Sequence, residues 1–279
     1  MRYATDEQVA LAIRRFGAKE ASRELRRRGL LIPVAGASGL AIDGSTPAAV
    51  STNASVASLT TASFTPPLNS LLVVIFGTGW SATGISSPSN TGGGVTWNGA
   101  VAVSETANNS GAAVWLGTVT TSASMTVTCN PASAIGQWGF GVAVVTGQAA
   151  SPAGATNVST SGNGIPTCTI ASLTGSNSLV LAGIGNATNG TIGTPGTGQS
   201  ITWNGHSFGY NSGGGGSGWG QYLTGMNLAA GASATINDTA PTIHYAEAMV
   251  EILAATGAAP TPNPQMVNWP QAMWRSAYR

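Results

Sequence analysis

Apolar and polar residues follow two different rhythms along this chain. Near the N-terminus the apolar positions recur at helical spacing: Val9, Ile13 and Phe16 share one face, and after Gly17 a second series has Ala21 and Leu25 on one side. Thr5 with Gln8 three residues later forms a capping-box pattern, and Asp6 and Glu7 suit the positive end of a helix. The pattern predicts a short helical hairpin or kinked helix over residues 5–28. From about residue 53 the rhythm becomes extended. The runs Leu71 to Phe76, Val95 to Trp97, Ala113 to Val119, Met125 to Cys129 and Gly139 to Val145 are rich in β-branched and aromatic residues and bounded by Gly, Asn, Ser and Pro. Short strands at this spacing predict an antiparallel sandwich, and no long helical stretch interrupts them.

That series occurs twice. Asn69-Ser70-Leu71 recurs as Asn177-Ser178-Leu179, Thr96-Trp97-Asn98-Gly99 as Thr202-Trp203-Asn204-Gly205, Ala123-Ser124 as Ala232-Ser233, and Thr146-Gly147 as Thr256-Gly257. Between these anchors Val114-Trp115-Leu116 falls opposite Gln221-Tyr222-Leu223. Matches in unbroken order at a nearly constant offset predict an internal duplication of a unit of about 100 residues. Asn-Gly favours the positive φ angles of a type I′ hairpin turn, so each Trp-Asn-Gly predicts a hairpin, with Trp97 and Trp203 as equivalent core residues. The expected fold is therefore mainly β: two tandem, sequence-related antiparallel β-sandwich units, jelly-roll or Ig-like, with a short N-terminal helical hairpin. The expected layout is a basic helical arm over 1–29, a linker over 30–52, the first sandwich over 53–149, the second over 150–257, and a Pro- and Trp-containing tail over 258–279.

Charge sharpens this division. Only 7% of residues are charged, far below the roughly 25% of an ordinary soluble domain, and 39 glycines with abundant Ser, Thr, Asn and Ala take their place. All ten Lys and Arg lie near the ends: Arg2, Arg14, Arg15, Lys19, Arg23, Arg26, Arg27 and Arg28 at one, Arg275 and Arg279 at the other. Residues 29–274 contain none, while retaining Asp43, Glu105, Asp238, Glu247 and Glu251. Such a body cannot neutralise phosphates, so nucleic acid is not an expected partner for it. A low-charge surface also favours packing into a larger assembly. No apolar run reaches the length of a membrane helix, and the acids and the glycine-interrupted stretch after Arg28 do not fit a cleaved signal.

Candidate chemistry is sparse. His206 and His244 are the two histidines, and no nucleophile is marked for a triad. Glycosidase chemistry needs two carboxyls flanking one bond. Glu247 and Glu251, four apart in an apparent strand, share a face and read as the polar side of an alternating strand. Neither a catalytic group, a metal set nor a cofactor is expected, and Asp238 alone is a weak calcium candidate. The glycine runs Gly92 to Gly94 and Gly213 to Gly216 lack the flanking elements of a phosphate loop and read as loops at a sandwich end. Cys129 and Cys168 are open to one disulfide or to two buried free thiols. Trp80, Tyr210 and Trp219 sit in glycine-rich stretches, which makes them candidate contacts for a ligand or a host surface, with loop packing as the alternative. The basic and aromatic ends supply candidate assembly contacts: Arg14, Arg15, Arg23, Arg26, Arg27 and Arg28, with Trp269, Trp274 and Arg275. A helix, a glycine and an arginine-rich helix could also be read as helix-turn-helix, but no third helix or core supports it.

Ser63-Phe64-Thr65-Pro66-Pro67, Asn69 to Val74, the glycine-rich loop and Val95-Thr96-Trp97 resemble the β-sandwich modules of minor tail and other virion surface proteins of tailed bacteriophages, especially those of actinobacterial hosts. The likeness covers roughly residues 60–150 and, more loosely, 165–257, and it leaves both ends unmatched. The resemblance implies a non-enzymatic virion structural protein, a minor tail or surface-decoration protein located in the phage particle. Its implied partners are other virion proteins and further copies of the chain in a homo-oligomer, with contact to a host surface glycan or protein. Two further classes stay open at this point: a glycan-binding module using loop aromatics, and a hydrolase of envelope polysaccharide.

Overall fold

The computed structural model describes residues 2–3, 30–31, 39–79, 86–105, 110–131, 136–211, 215–225 and 228–255. The chain divides into two compact units, Met1–Ala37 with Thr256–Arg279, and Ser38–Ala255. In the first unit β1 (Arg2–Tyr3) and β2 (Leu30–Leu31) pair in parallel. The helical hairpin expected over residues 5–28 lies outside the described residues, as do Arg14, Arg15, Arg23, Arg26, Arg27, Arg28, Trp80, Trp269, Trp274 and Arg275.

The second unit, hereafter the body, is mainly β, and its sheets are antiparallel. Its first half runs β3 (Ala41–Ile42), β4 (Val50–Thr52), β5 (Leu59–Thr60), β6 (Leu71–Thr78), β7 (Ser89–Thr91), β8 (Gly94–Glu105), β9 (Ser110–Thr121), β10 (Thr126–Cys129) and β11 (Trp138–Thr146). These form a large sheet in the order β3-β11-β6-β9-β8, with β4 also on β11, and a small sheet β5-β10-β7. The second half runs β12 (Gln148–Gly164), β13 (Thr167–Ile170), β14 (Leu179–Asn186), β15 (Thr194–Pro195), β16 (Gln199–Ser200), β17 (Thr202–Trp203), β18 (His206–Ser207), β19 (Gly209–Asn211), β20 (Ser217–Leu223), β21 (Ala234–Ala240) and β22 (Ile243–Ala254). Its large sheet is ordered β12-β22-β14-β20-β16, with β19 also on β20, and its small sheet is β13-β21-β15. The central strands correspond: β11-β6-β9 in one half, β22-β14-β20 in the other.

Burial explains the composition of each layer. Every residue of β6 (LLVVIFGT) and β14 (LVLAGIGN) is buried, because both faces of each large sheet are covered. Leu72, Val74, Phe76, Val142 and Val144 pack with Val127 and Cys129 of the first small sheet. Val180, Ala182 and Met249 pack likewise with Cys168, Ile170 and Ile236 of the second. The opposite faces meet each other: Leu71, Val73, Ile75, Val114 and Leu116 share a core with Leu179, Leu181, Trp203, Phe208, Val250 and Ile252. The small sheets have one wet face, and there the inward Val and Cys alternate with threonines whose hydroxyls bond across the strands, Thr60 to Thr128 and Thr169 to Thr235, both at 2.8 Å.

Where the two large sheets meet, their backbones approach too closely for side chains. A Cβ on Gly183 would stand 2.9 Å from the Phe76 carbonyl oxygen, and one on Gly185 would collide with the Thr78 and Gly111 carbonyls. Ala112, Ala246 and Ala248 cluster in the same seam. Glycines that resemble loop residues in sequence thus belong in part to a sheet-to-sheet contact.

Two details of the repeated motifs differ from expectation. Asn204 and Gly205 have φ angles of 47° and 77° and close the predicted hairpin between β17 and β18. In the first half Asn98-Gly99 instead forms an irregularity inside the continuous strand β8, between Trp97 and Ala100, with only Gly99 at positive φ, 56°. Accordingly Trp97 packs toward the small-sheet side and Trp203 into the core between the halves, so the two indoles are not equivalent. Register also moves one match by a residue. Val73 pairs with Leu116 and Leu181 with Tyr222, so Leu116 stands in the place of Tyr222 where the sequence match had set Trp115. A one-residue slip exchanges faces.

Candidate functional site

The described candidate aromatics lie inside the fold. Trp219 belongs to β20, is 1% exposed, and its indole N–H donates to Gln221 Oε1 at 3.2 Å. It is a core residue and not an exposed loop aromatic, because the Ser217–Leu223 segment, glycine-rich as it is, pairs with β14 as a strand. Tyr210 is half-buried in β19 and its hydroxyl donates to the Gly77 carbonyl of β6. Gly139 and Gly218 leave room for its ring, since a Cβ on either would meet the ring within 3.0 Å. Burial pushes the Tyr210 phenol well above its usual range, the Gly139 backbone opposing only in part. Trp203 stacks on Phe208 at 5.2 Å and tilts against Tyr222 at 4.4 Å, filling the core between the halves.

The carboxyls hold the chemistry that the sequence concealed. Glu247 and Glu251 do share a face of β22, but both are fully buried, at 0% exposure, and not on a solvated side of the strand. Glu251 is completely partnered. Its Oε2 accepts from the Ala155 N–H at 2.9 Å and the Thr174 N–H at 2.8 Å, and its Oε1 from the Gly175 N–H at 2.9 Å and the Ser178 hydroxyl at 2.6 Å. Burial raises its pKa, but the four donors outweigh it and hold the carboxyl below its ordinary value. One ionised side chain thus joins β12, β22 and the turn before β14. Gly154 is required beside it, because a Cβ there would strike the carboxylate.

Asp238 and Glu247 have the opposite environment. Asp238 is 3% exposed on β21 and Glu247 is buried on β22, and none of their four carboxyl oxygens has a hydrogen-bond partner among the described residues. Asp238 shares the inward parity of Ile236, and Glu247 that of Met249, so the two carboxyls enter the space between the small and large sheets. The nearby amides are committed to one another: Gln221 Nε2 donates to Gln199 Oε1 at 2.5 Å and to the Asn237 carbonyl at 2.9 Å, and the Asn237 N–H donates to Gln199 Oε1 at 3.1 Å. Burial pushes Asp238 up to about 7, and the neighbouring Gln221 amide, whose N–H groups are bonded elsewhere and form no hydrogen bond to it, opposes this only in part. Burial first, and then the charge of Asp238, raises Glu247 well above the carboxylate range. The Cys168 thiol beside them is pushed up to about 12 by burial and next by the Glu247 charge.

Cys129 and Cys168 are free thiols in separate cores. His206 lies in the β17–β18 hairpin opposite Trp203, and His244 alternates to the other face of β22 from Glu247, so neither histidine joins the carboxyl pair. Among the described residues no group of three or more His, Cys, Asp or Glu is placed to hold a metal, and no helix is long and apolar enough to cross a membrane. A cavity of about 290 Å³ opens between the halves, with buried Val114, Leu116 and Val250 and exposed Asn98 and Thr156 in its wall.

No protein-family model, curated protein or solved structure matches the chain. The Glu251 clamp and the Asp238–Glu247 pair are silent in the sequence because their partners come from distant segments, mostly as backbone N–H groups, which leave no residue pattern. The absence of any Lys or Arg between residues 29 and 274 was the available signal, since it denies buried carboxylates an ion-pair partner.

Proposed function

We propose that this chain is a non-enzymatic structural protein of a tailed-phage virion, a minor tail or surface-decoration protein, whose body is a rigid spacer and whose ends dock it to the particle. The observation that carries the reading is the separation of roles along the chain. Every Lys and Arg lies at the ends, while Asp238, Glu247 and Glu251 and the aromatics Trp203 and Trp219 are buried inside the body. We read the body as two copies of a β-sandwich unit, supported by the shared central order β11-β6-β9 and β22-β14-β20 and by Asn69 and Asn177, at φ 62° and 58°, entering β6 and β14 alike. The copies associate through the glycine and alanine seam, which gives a stiff four-layer block. The resemblance of residues 60–150 to virion modules supplies the setting, and other virion proteins and further copies of the chain are the partners. Stacking on glycans draws less support, because Trp219 is enclosed.

The test is incorporation. A chain lacking residues 1–29 should fold its body, with the circular dichroism of the full protein, and be missing from purified particles. Normal incorporation of the truncated chain would overturn docking through the arm.

A further inference from the structure

We propose that the β13-β21-β15 sheet is seated on the β12-β22-β14-β20-β16 sheet by a proton-dependent joint, closed while Asp238 and Glu247 are uncharged and loosened when they ionise. The two side chains project from facing sheets into one buried space, at 3% and 0% exposure, with no donor among the described residues on any carboxyl oxygen. A buried carboxylate persists only with an ion-pair partner, a set of donors or a metal. The body has no Lys or Arg and neither of its histidines joins the pair, so no ion-pair partner stands among the described residues. A sufficient donor set is present at Glu251, on the same face of β22, where four donors converge on one carboxylate, and nothing comparable reaches Asp238 or Glu247.

The groups around the pair are few. Cys168 faces it from β13, a thiol held neutral. From β20 come Trp219, whose N–H is given to Gln221, and Gln221, whose amide is given to Gln199 and Asn237. Tyr245, two residues before Glu247 on β22, hydrogen-bonds Ser159 at 3.1 Å and the Thr167 carbonyl. Gly193 presses on the Asp238 carboxyl and the Trp219 ring, so that a Cβ there would strike both. Calcium would need six or more oxygens, and the amide oxygens of Gln199 and Gln221 already accept hydrogen bonds, which favours protons over a cation.

The direction follows from linkage. Both carboxyls are raised above their unfolded values, so between about pH 4 and the folded value the closed state binds more protons than the open one, and closure weakens as pH rises through that window. With Asp238 at about 7, its opening constant grows about tenfold per pH unit from about pH 5 and levels off above about 7. Hydrogen exchange of the full chain between about pH 5 and about pH 8.5, corrected for intrinsic rates, reads this directly. The β21 and β13 amides should open at least about 50-fold more at pH 7 than at pH 5, the rise due to Asp238 alone, while β10 of the first half stays constant. The Asp238→Asn/Glu247→Gln double variant should show a flat profile. A flat wild-type profile would overturn the joint, as would a double variant that keeps the rise. Recovery of β21 protection at about pH 8 on adding calcium chloride, in the wild type alone, would replace the proton with a cation.

Discussion

Replacing Glu251 by Gln isolates the electrostatic content of its clamp while preserving shape. The carboxylate receives two donors on each oxygen: the Ala155 and Thr174 N–H groups on one, the Gly175 N–H and the Ser178 hydroxyl on the other. A glutamine can offer its carbonyl oxygen to one pair only, and its NH2 then faces the donors of the other. The Ser178 hydroxyl can rotate to accept, but a backbone N–H cannot. The substitution therefore weakens two charge-assisted bonds to neutral ones and sets a buried donor against a donor, which together cost about 3 kcal/mol. For a body of this size that lowers the melting temperature by roughly 6–12 °C. Because the Glu251 carboxyl is held below its unfolded value, its contribution is complete above about pH 4.3 and disappears as pH falls through the folded value. Scanning calorimetry of wild type and Glu251→Gln at about pH 7 and at about pH 3 should show the gap narrowing in acid. A loss below about 1 kcal/mol at neutral pH, or an equal gap at both pH values, would refute the view that the four donors read the charge.

The seam between the large sheets gives a further expectation. Gly185→Ala forces a Cβ against the Thr78 and Gly111 carbonyls and should destabilise the body by about 1–3 kcal/mol in urea titration; unchanged stability would contradict the close backbone approach. Cys129, buried in the core of the first half with a raised thiol pKa, should resist an aromatic disulfide reagent until the body unfolds, and rapid native labelling would contradict its burial.

Strands with a crowded apolar environment were readable in advance. Leu71 to Phe76 and Gly139 to Val145 fall in β6 and β11 because burial on both faces demands continuous apolar sequence. The 17-residue β12 carries no such mark: its Ala, Ser, Thr and Asn residues lie on a mostly exposed edge, where main-chain pairing with β22 suffices. Trp-Asn-Gly misled in one half only. The same dipeptide closes a hairpin at Asn204-Gly205 and kinks a through-going strand at Asn98-Gly99, and the neighbouring strands, not the dipeptide, decide which. Glycine was ambiguous for a similar reason. Gly183 and Gly185 carry no mark in the sequence that sets them apart, and only the approach of a facing sheet shows why a side chain is excluded. Glu247 illustrates the limit of alternation, which assigned its face correctly but not what covers that face.

The claim that this chain is a virion spacer fixed by its ends is tested most directly by a density map of the intact particle that carries it. The Ser38–Ala255 body should stand in that map as an outward block meeting other virion proteins through the chain ends. A body enclosed in the particle with its ends free, or particles that contain none of the chain, would contradict it.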